Sequence, residues 1–142
     1  MMPKPSIWML RLALVYLLIS VSVGGLLLIQ KTVKLHPMLW SLLPIHFELA
    51  IWGWLVQFVM GTAYWMFPRF LKGPKRGNEK FAIISVVSFN AGLLFLMAGY
   101  FTEVHSSLRL SSRFLMLFGV TLFVAVMWNR VLSYRQVPHE HS

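Results

Sequence analysis

The sequence contains no cysteine, and only 12% of its 142 residues are charged, with Asp and Glu together contributing four. The absence of cysteine excludes disulfides, thiolate metal sites and haem attached covalently through a C-x-x-C-H motif. Because so few charged side chains cannot cover the surface of a water-soluble domain of this size, the low charge content excludes a soluble enzyme. The sequence also lacks a phosphate-binding loop, a nucleophile motif and the ligand spacing of a metallohydrolase. These absences leave the membrane proteins as the class to consider.

The chain is instead 58% hydrophobic, and its apolar residues form four runs without a charge. These runs cover residues 12–29, 49–68, 81–102 and 114–129. A helix needs about 20 apolar residues to cross a bilayer. We therefore predict an all-α integral membrane protein, a single domain over 1–142 with spans near 7–30, 44–68, 81–102 and 110–132. The first run is too long for a signal-peptide core and no small-residue cleavage site follows it, so we expect it to remain as a span.

The positive charges are distributed unevenly between the two ends of these spans. Thirteen Lys and Arg against four acids give a formal net charge of +9, which in a soluble protein would indicate nucleic-acid binding. Here nine of the thirteen fall at the N-terminus, in the 69–80 loop and in the C-terminal segment, and four fall in the other two loops. The positive-inside rule then predicts that both termini are cytoplasmic. The expected surroundings are a lipid bilayer, and no nucleic-acid partner is expected.

Small and polar residues follow one face of the second predicted helix. Steps of three and four residues place on that face His46, Ala50, Gly53, Gln57, Gly61, Tyr64 and Pro68. Such a face has two physical uses, because another helix can pack closely against it or a flat cofactor can lie on it. A histidine at the outer end favours the cofactor, since imidazole is the commonest protein ligand of haem iron. The alternative is that His46 is an interfacial residue bonded to Glu48 or to a loop carbonyl.

Other polar residues in the predicted spans indicate contacts between helices. Glu48 is expected to pair with Arg109 or Arg113 near the outer interface. Asn90 and Gln57 are expected to form hydrogen bonds across helices. The pair Gly24-Gly25 in the first helix offers a surface for close helix approach.

The second helix also resembles a known family. The stretch His46-Phe47-Glu48, Gly53-Trp54, Gly61, Tyr64-Trp65 and Pro68-Arg69 resembles the second transmembrane helix of the catalytic subunit (subunit I) of haem–copper oxidases, especially nitric oxide reductases and cbb-type oxidases. The match covers about 25 of the 142 residues. The resemblance implies one residue role, His46 as an axial ligand of haem b iron. The small and polar face below His46, with Gly53, Gln57 and Gly61, would leave room for the macrocycle.

This chain departs from the family in its number of helices. The family's catalytic subunit has twelve spans or more, with its second low-spin haem ligand and its copper-binding histidines on later helices that are missing here. We therefore expect no copper and no complete site for reducing dioxygen or nitric oxide in one chain, which leaves enzymatic activity open. The family's helices form three similar four-helix arcs, and a homo-oligomer of this chain would restore that arrangement with His46 from adjacent protomers facing one iron. Within one chain, the competing second ligands are His105 and His36.

The resemblance implies a cytochrome of respiratory electron transfer in a bacterial or archaeal plasma (inner) membrane, alone or with subunits of a respiratory complex. Two other functions remain open. One is a non-catalytic structural or assembly subunit of such a complex, which keeps the helix-2 motif for packing. The other is a haem-based gas sensor.

Overall fold

The computed structural model describes residues 2–67, 79–101 and 106–134, and within these ranges the chain is helical with short connections. Four long helices are present there, which we call α1 (Lys4–Val33), α2 (43–66), α3 (Glu79–Phe101) and α4 (Ser106–Tyr134). Each contains a segment long and apolar enough to cross a membrane, which confirms the predicted all-α class with four candidate spans. The basic loop up to residue 78, His105 and the C-terminal tail from residue 135 lie outside the described residues.

The helices extend beyond the charge-free runs that predicted them. α4 differs most, since it has 29 residues although its charge-free run has only 16. The reason is that Arg113 and Arg130 are accommodated within the helix by contacts with α2 and the residue that follows it.

α2 is assembled from segments of different helical type. A 3₁₀ turn (Pro37–Leu42) leads into an α-helical segment (Leu43–Glu48), a π-helical segment (Leu49–Val56) and a second α-helical segment (Gln57–Met66). Pro44 stands in the first turn of the helix, where a backbone N–H would have no intrahelical partner and its absence costs nothing. π-helical turns are rare and occur frequently at functional sites. This one begins directly after the segment that carries His46.

The helices form two antiparallel pairs, α1 with α2 and α3 with α4. In the second pair the backbones approach closely at two glycines. A Cβ atom added to Gly92 would lie 2.8 Å from the Met116 nitrogen, and one added to Gly119 would lie 2.8 Å from the Phe89 nitrogen. The Ser85 hydroxyl donates a 2.7 Å hydrogen bond to the Gly119 carbonyl at this crossing. Small residues thus permit the tight contact that membrane helices commonly use.

Two apolar clusters fill the bundle, and all four helices contribute to each. The cluster near the start of α1, which we call the amino-terminal end, contains Met9, Met60, Tyr64, Ala82, Val86, Phe123 and Met127. The cluster nearer the opposite end, which we call the His46 end, contains Tyr16, Ile45, Leu49, Phe89, Leu93, Leu96 and Met116. Large apolar side chains also cover the outside of the bundle, as Leu18 (70% exposed) and Leu28 (67%) illustrate. That outer surface matches the lipid environment of a multi-pass membrane protein.

Candidate functional site around His46

The imidazole ring of His46 is held by one residue of α1. Its Nδ1 atom lies 2.9 Å from the Ser20 carbonyl oxygen and 3.2 Å from the Ser20 hydroxyl, which itself donates to the His46 carbonyl at 3.1 Å. Because a carbonyl oxygen can only accept, Nδ1 carries the hydrogen, and Nε2 is the ring nitrogen that would offer a lone pair to a metal in the neutral form of the ring. Among the described residues, no hydrogen bond reaches Nε2. Nδ1 is therefore bound to Ser20, and Nε2 is the ring nitrogen left for a ligand.

Gly24 provides the space for this ring. A Cβ atom at Gly24 would lie 2.7 Å from Cε1 of His46 and 3.1 Å from Nδ1, and the first distance is shorter than real contacts allow. The neighbouring Gly25 has no atom within 4 Å of such a Cβ. Of the two glycines predicted to permit close approach, Gly24 is therefore the one that does so.

Three further residues of the small and polar stripe on α2 face α1. A Cβ atom added to Gly53 would lie 2.9 Å from the Tyr16 side chain, and one added to Gly61 would lie 3.0 Å from Met9. Gln57 is fully buried and its amide donates to the Met9 carbonyl at 3.2 Å, which confirms the predicted bond across helices. The stripe thus serves close helix packing, one of the two uses predicted for it. A cofactor-binding role for Gly53, Gln57 and Gly61 stays a prediction.

A partly buried ion pair lies one helical turn or less from His46, formed by the buried Glu48 and the more exposed Arg113. Glu48 accepts from both terminal nitrogens of the Arg113 guanidinium, one of them at 2.9 Å, and from the Tyr100 hydroxyl at 3.3 Å. This confirms the predicted pairing of Glu48 with Arg113. The hydrogen bond from Tyr100 is not predicted, because the spacing of residues along the sequence does not show which side chains of separate helices meet. The three side chains connect α2, α3 and α4. Each polar group in the cluster is compensated, as a charge inside a membrane requires.

Asn90 connects the two helix pairs near the middle of the bundle. Its Oδ1 accepts a 3.0 Å hydrogen bond from the Tyr16 hydroxyl, and its Nδ2 donates to the Val86 carbonyl at 2.8 Å. The prediction that Asn90 bonds across helices is confirmed. Its role in the described structure is to fix α3 against α1.

Arg130 is the polar residue that the sequence places least well. The charge count places it with the surface charges of the C-terminal segment. In the structure, however, Arg130 is only 1% exposed. Its guanidinium donates to the carbonyls of Tyr64 (3.0 Å) and Phe67 (2.7 Å) and lies 5.0 Å from the centre of the Tyr64 ring. Carbonyls at the end of a helix have no intrahelical partner, so Arg130 of α4 satisfies the end of α2.

The other histidines predicted as ligands are not brought beside His46 in the described residues. His36 is exposed at the start of the 3₁₀ turn, where its Nδ1 accepts from the Met38 N–H at 3.2 Å, and His105 lies outside the described residues. Within the described part of the chain, no group of three or more His, Cys, Asp or Glu side chains is placed to hold a metal ion. No protein-family model, no curated protein and no solved structure matches the chain.

Proposed function

We propose that this chain is a haem b-binding membrane protein of respiratory electron transfer in which Nε2 of His46 is an axial ligand of the iron. The observation that supports this most directly is the hydrogen bond from Nδ1 to the Ser20 carbonyl. Metal-binding histidines characteristically donate their second ring N–H to a carbonyl or carboxylate, which fixes the ring and makes the free nitrogen a better ligand. His46 has this arrangement before any ligand is considered.

The surroundings of His46 limit where the haem would lie. The ring is only partly buried, and Gly24 keeps a side chain away from its edge. The face of α2 below it is covered by α1, so the macrocycle would lie against the outside of the bundle at the His46 end. The second axial ligand then has to come from another protomer or from His105 or His36 of this chain. We favour two His46 rings from adjacent protomers of a homo-oligomer. A haem held by two histidines supplies a one-electron carrier with no open position for a gas.

The test is the haem content and spectrum of the purified chain and two variants, after expression with ample haem. The wild-type chain should give a low-spin, six-coordinate spectrum and about one haem for every two chains by pyridine haemochrome assay. His46→Ala should lose the haem, whereas the matched His36→Ala, which removes an exposed histidine, should retain it. A His46→Ala protein that keeps a six-coordinate low-spin haem would refute the assignment.

One observation favours a second candidate, a non-catalytic structural or assembly subunit. The small residues of α2 and the His46–Ser20 bonds all serve contact between α1 and α2, and that is sufficient reason for their presence in a packing subunit. A wild-type chain that is folded but colourless in the same experiment would favour this candidate over the haem protein.

We further propose that the protein resides in a bacterial or archaeal plasma membrane with both termini in the cytoplasm. The support is the excess of Lys and Arg in the N-terminal, 69–80 and C-terminal segments. In this orientation His46 is near the outer surface of the membrane.

A further inference from the structure

An apolar groove of about 510 Å³ runs between α1 and α3, on the opposite half of the bundle from His46. α1 contributes Lys4, Pro5, Trp8 and Leu12, and α3 contributes residues between Ile83 and Leu94. Its rim is open to the surroundings, since Trp8 is 62% exposed and Val87 is 60% exposed. The groove exists because α1 packs mainly on α2 and α3 packs mainly on α4, which leaves the two helices apart along this flank.

The length of the groove corresponds to one leaflet of a bilayer. The stretch from Ile83 to Leu94 covers about 16 Å along a helix axis, and half of the hydrocarbon core is about 15 Å. The residues that line the groove begin at the amino-terminal end with Lys4 and end with Asn90 and Leu94 near the middle of the bundle. A transmembrane helix of a partner would require a groove along the full thickness of the membrane, about 30 Å. A half-length groove instead fits a chain that enters from one surface and ends at the midplane.

The groove has one polar lining residue at its mouth, Lys4, and one at its inner end, Asn90. Eight of the ten lining residues are apolar, and the deeper polar one, Asn90, already bonds to Tyr16 and Val86. Lys4 is exposed at the open end. α3 begins nearby with Glu79 and Lys80, whose formal charges offset each other. Among the described residues, the mouth therefore carries a net positive charge, and the interior is lined mainly by apolar side chains.

We propose that this groove binds one acyl chain of an anionic phospholipid whose headgroup contacts Lys4. An acyl chain matches the length and the apolar lining, and a cation at the membrane surface favours anionic headgroups over zwitterionic ones. The site is independent of His46 and of any haem.

Native mass spectrometry of the full-length chain in detergent tests the proposal, with phosphatidylglycerol and phosphatidylcholine of identical acyl chains as probes. Phosphatidylglycerol should bind about fivefold more tightly, the difference expected for one lysine near the surface. Lys4→Gln should abolish this preference and retain binding of both lipids. The control is Lys31→Gln, which removes an exposed charge at the His46 end and should leave the preference unchanged.

A second pair of variants tests the groove itself. Val87→Trp places a ring over the groove at an exposed position, so the helix should fold and binding of both lipids should fall severalfold. Val124→Trp is the matched control, because Val124 is 50% exposed on α4 and does not line the groove. Equal losses of lipid binding in the two variants would show that the lipid binds to the general surface of the bundle and not to the groove, which would overturn the proposal. Displacement of phosphatidylglycerol by an equimolar amount of an isoprenoid quinone would also overturn it, because the groove would then prefer a quinone. The same holds if Val87→Trp changes the oligomeric mass and leaves lipid binding unaltered, because the groove would then be a contact between protomers.

Discussion

Glu48 is a carboxylate that the bundle buries almost completely, with its side chain 11% exposed. Burial of an unpaired carboxylate in an apolar environment is very unfavourable. A buried ion pair is stable there only when hydrogen bonds also satisfy the remaining lone pairs of the carboxylate. Arg113 supplies two donors and Tyr100 supplies a third. Removing the arginine should therefore cost more than removing the negative charge that it neutralises.

This asymmetry gives a prediction for stability at the Glu48–Arg113 pair. Arg113→Met should lower the free energy of unfolding by about 2–3 kcal/mol, less than for a fully buried pair because Arg113 is 43% exposed. Glu48→Gln should lower it by about 1 kcal/mol, since the amide oxygen still accepts a hydrogen bond. Unfolding by dodecyl sulfate, followed by tryptophan fluorescence, measures both. Combining the two substitutions should cost less than Arg113→Met alone, and strictly additive losses would contradict the pairing argument.

The polar residues of the spans differ in how far the sequence predicts their partners. Glu48, Gln57 and Asn90 stand out because a polar group in a membrane span requires compensation, and each does bond to a neighbouring helix. The partners are harder to predict. Ser20 contacts His46 across 26 residues, and this contact depends on the register between α1 and α2, which an amphipathic pattern does not encode. Arg130 is assigned to the surface because a lysine or arginine near a helix end normally extends into water.

At the scale of the helix, the crossing of α3 and α4 is set by glycine. A methyl group at Gly92 would lie 2.9 Å from the Ser112 carbonyl oxygen and 2.8 Å from the Met116 nitrogen. These are backbone atoms, which cannot move away by rotation of a side-chain bond. The two helices would have to separate, which would weaken the Ser85–Gly119 hydrogen bond and the packing beside it.

Gly92→Ala should accordingly destabilise the chain by about 1–3 kcal/mol, the usual cost of overpacking. The matched control is Gly25→Ala, because a Cβ there meets no atom within 4 Å. That substitution should be neutral or stabilise by up to about 1 kcal/mol through helix propensity. The same dodecyl sulfate titration compares them. A Gly92→Ala protein as stable as Gly25→Ala would mean that the crossing is looser than described.

α2 shows where periodicity succeeds as a predictor and where it does not. In its second half, Gly53, Gln57, Gly61 and Tyr64 are buried as the three- and four-residue steps predict. In its first half, the buried positions are Ile45, Glu48 and Leu49, and His46 is only partly buried. The π-helical segment (Leu49–Val56) contains the change from one pattern to the other, and its wider turn shifts the register of the buried face. A π turn depends on tertiary contacts, so a pattern based on 3.6 residues per turn does not reveal it.

At the scale of the whole molecule, polar contacts join the two helix pairs at three levels. Arg113–Glu48 lies at the His46 end, Tyr16–Asn90 lies near the middle, and Arg130 bonds to the last carbonyls of α2 at the amino-terminal end. Lipid tails are as apolar as the helix surfaces, so apolar burial alone does little to hold helices together in a membrane. Hydrogen bonds at these levels therefore define which faces of the two pairs meet.

The orientation of this bundle in the membrane is a property of the whole charge distribution. Lys4 and Lys31 are both exposed and lie at opposite ends of α1. Because the chain contains no cysteine, a single cysteine introduced at either position is the sole target for a maleimide. The positive-inside rule places Lys4 in the cytoplasm and Lys31 outside.

In intact cells, a membrane-impermeant maleimide should label the Lys31→Cys protein and leave the Lys4→Cys protein unlabelled until the membrane is permeabilised. The reverse pattern would place His46 near the cytoplasmic surface. Labelling of both proteins in intact cells would indicate a mixed orientation, which would contradict the orientation predicted from the nine-to-four charge distribution.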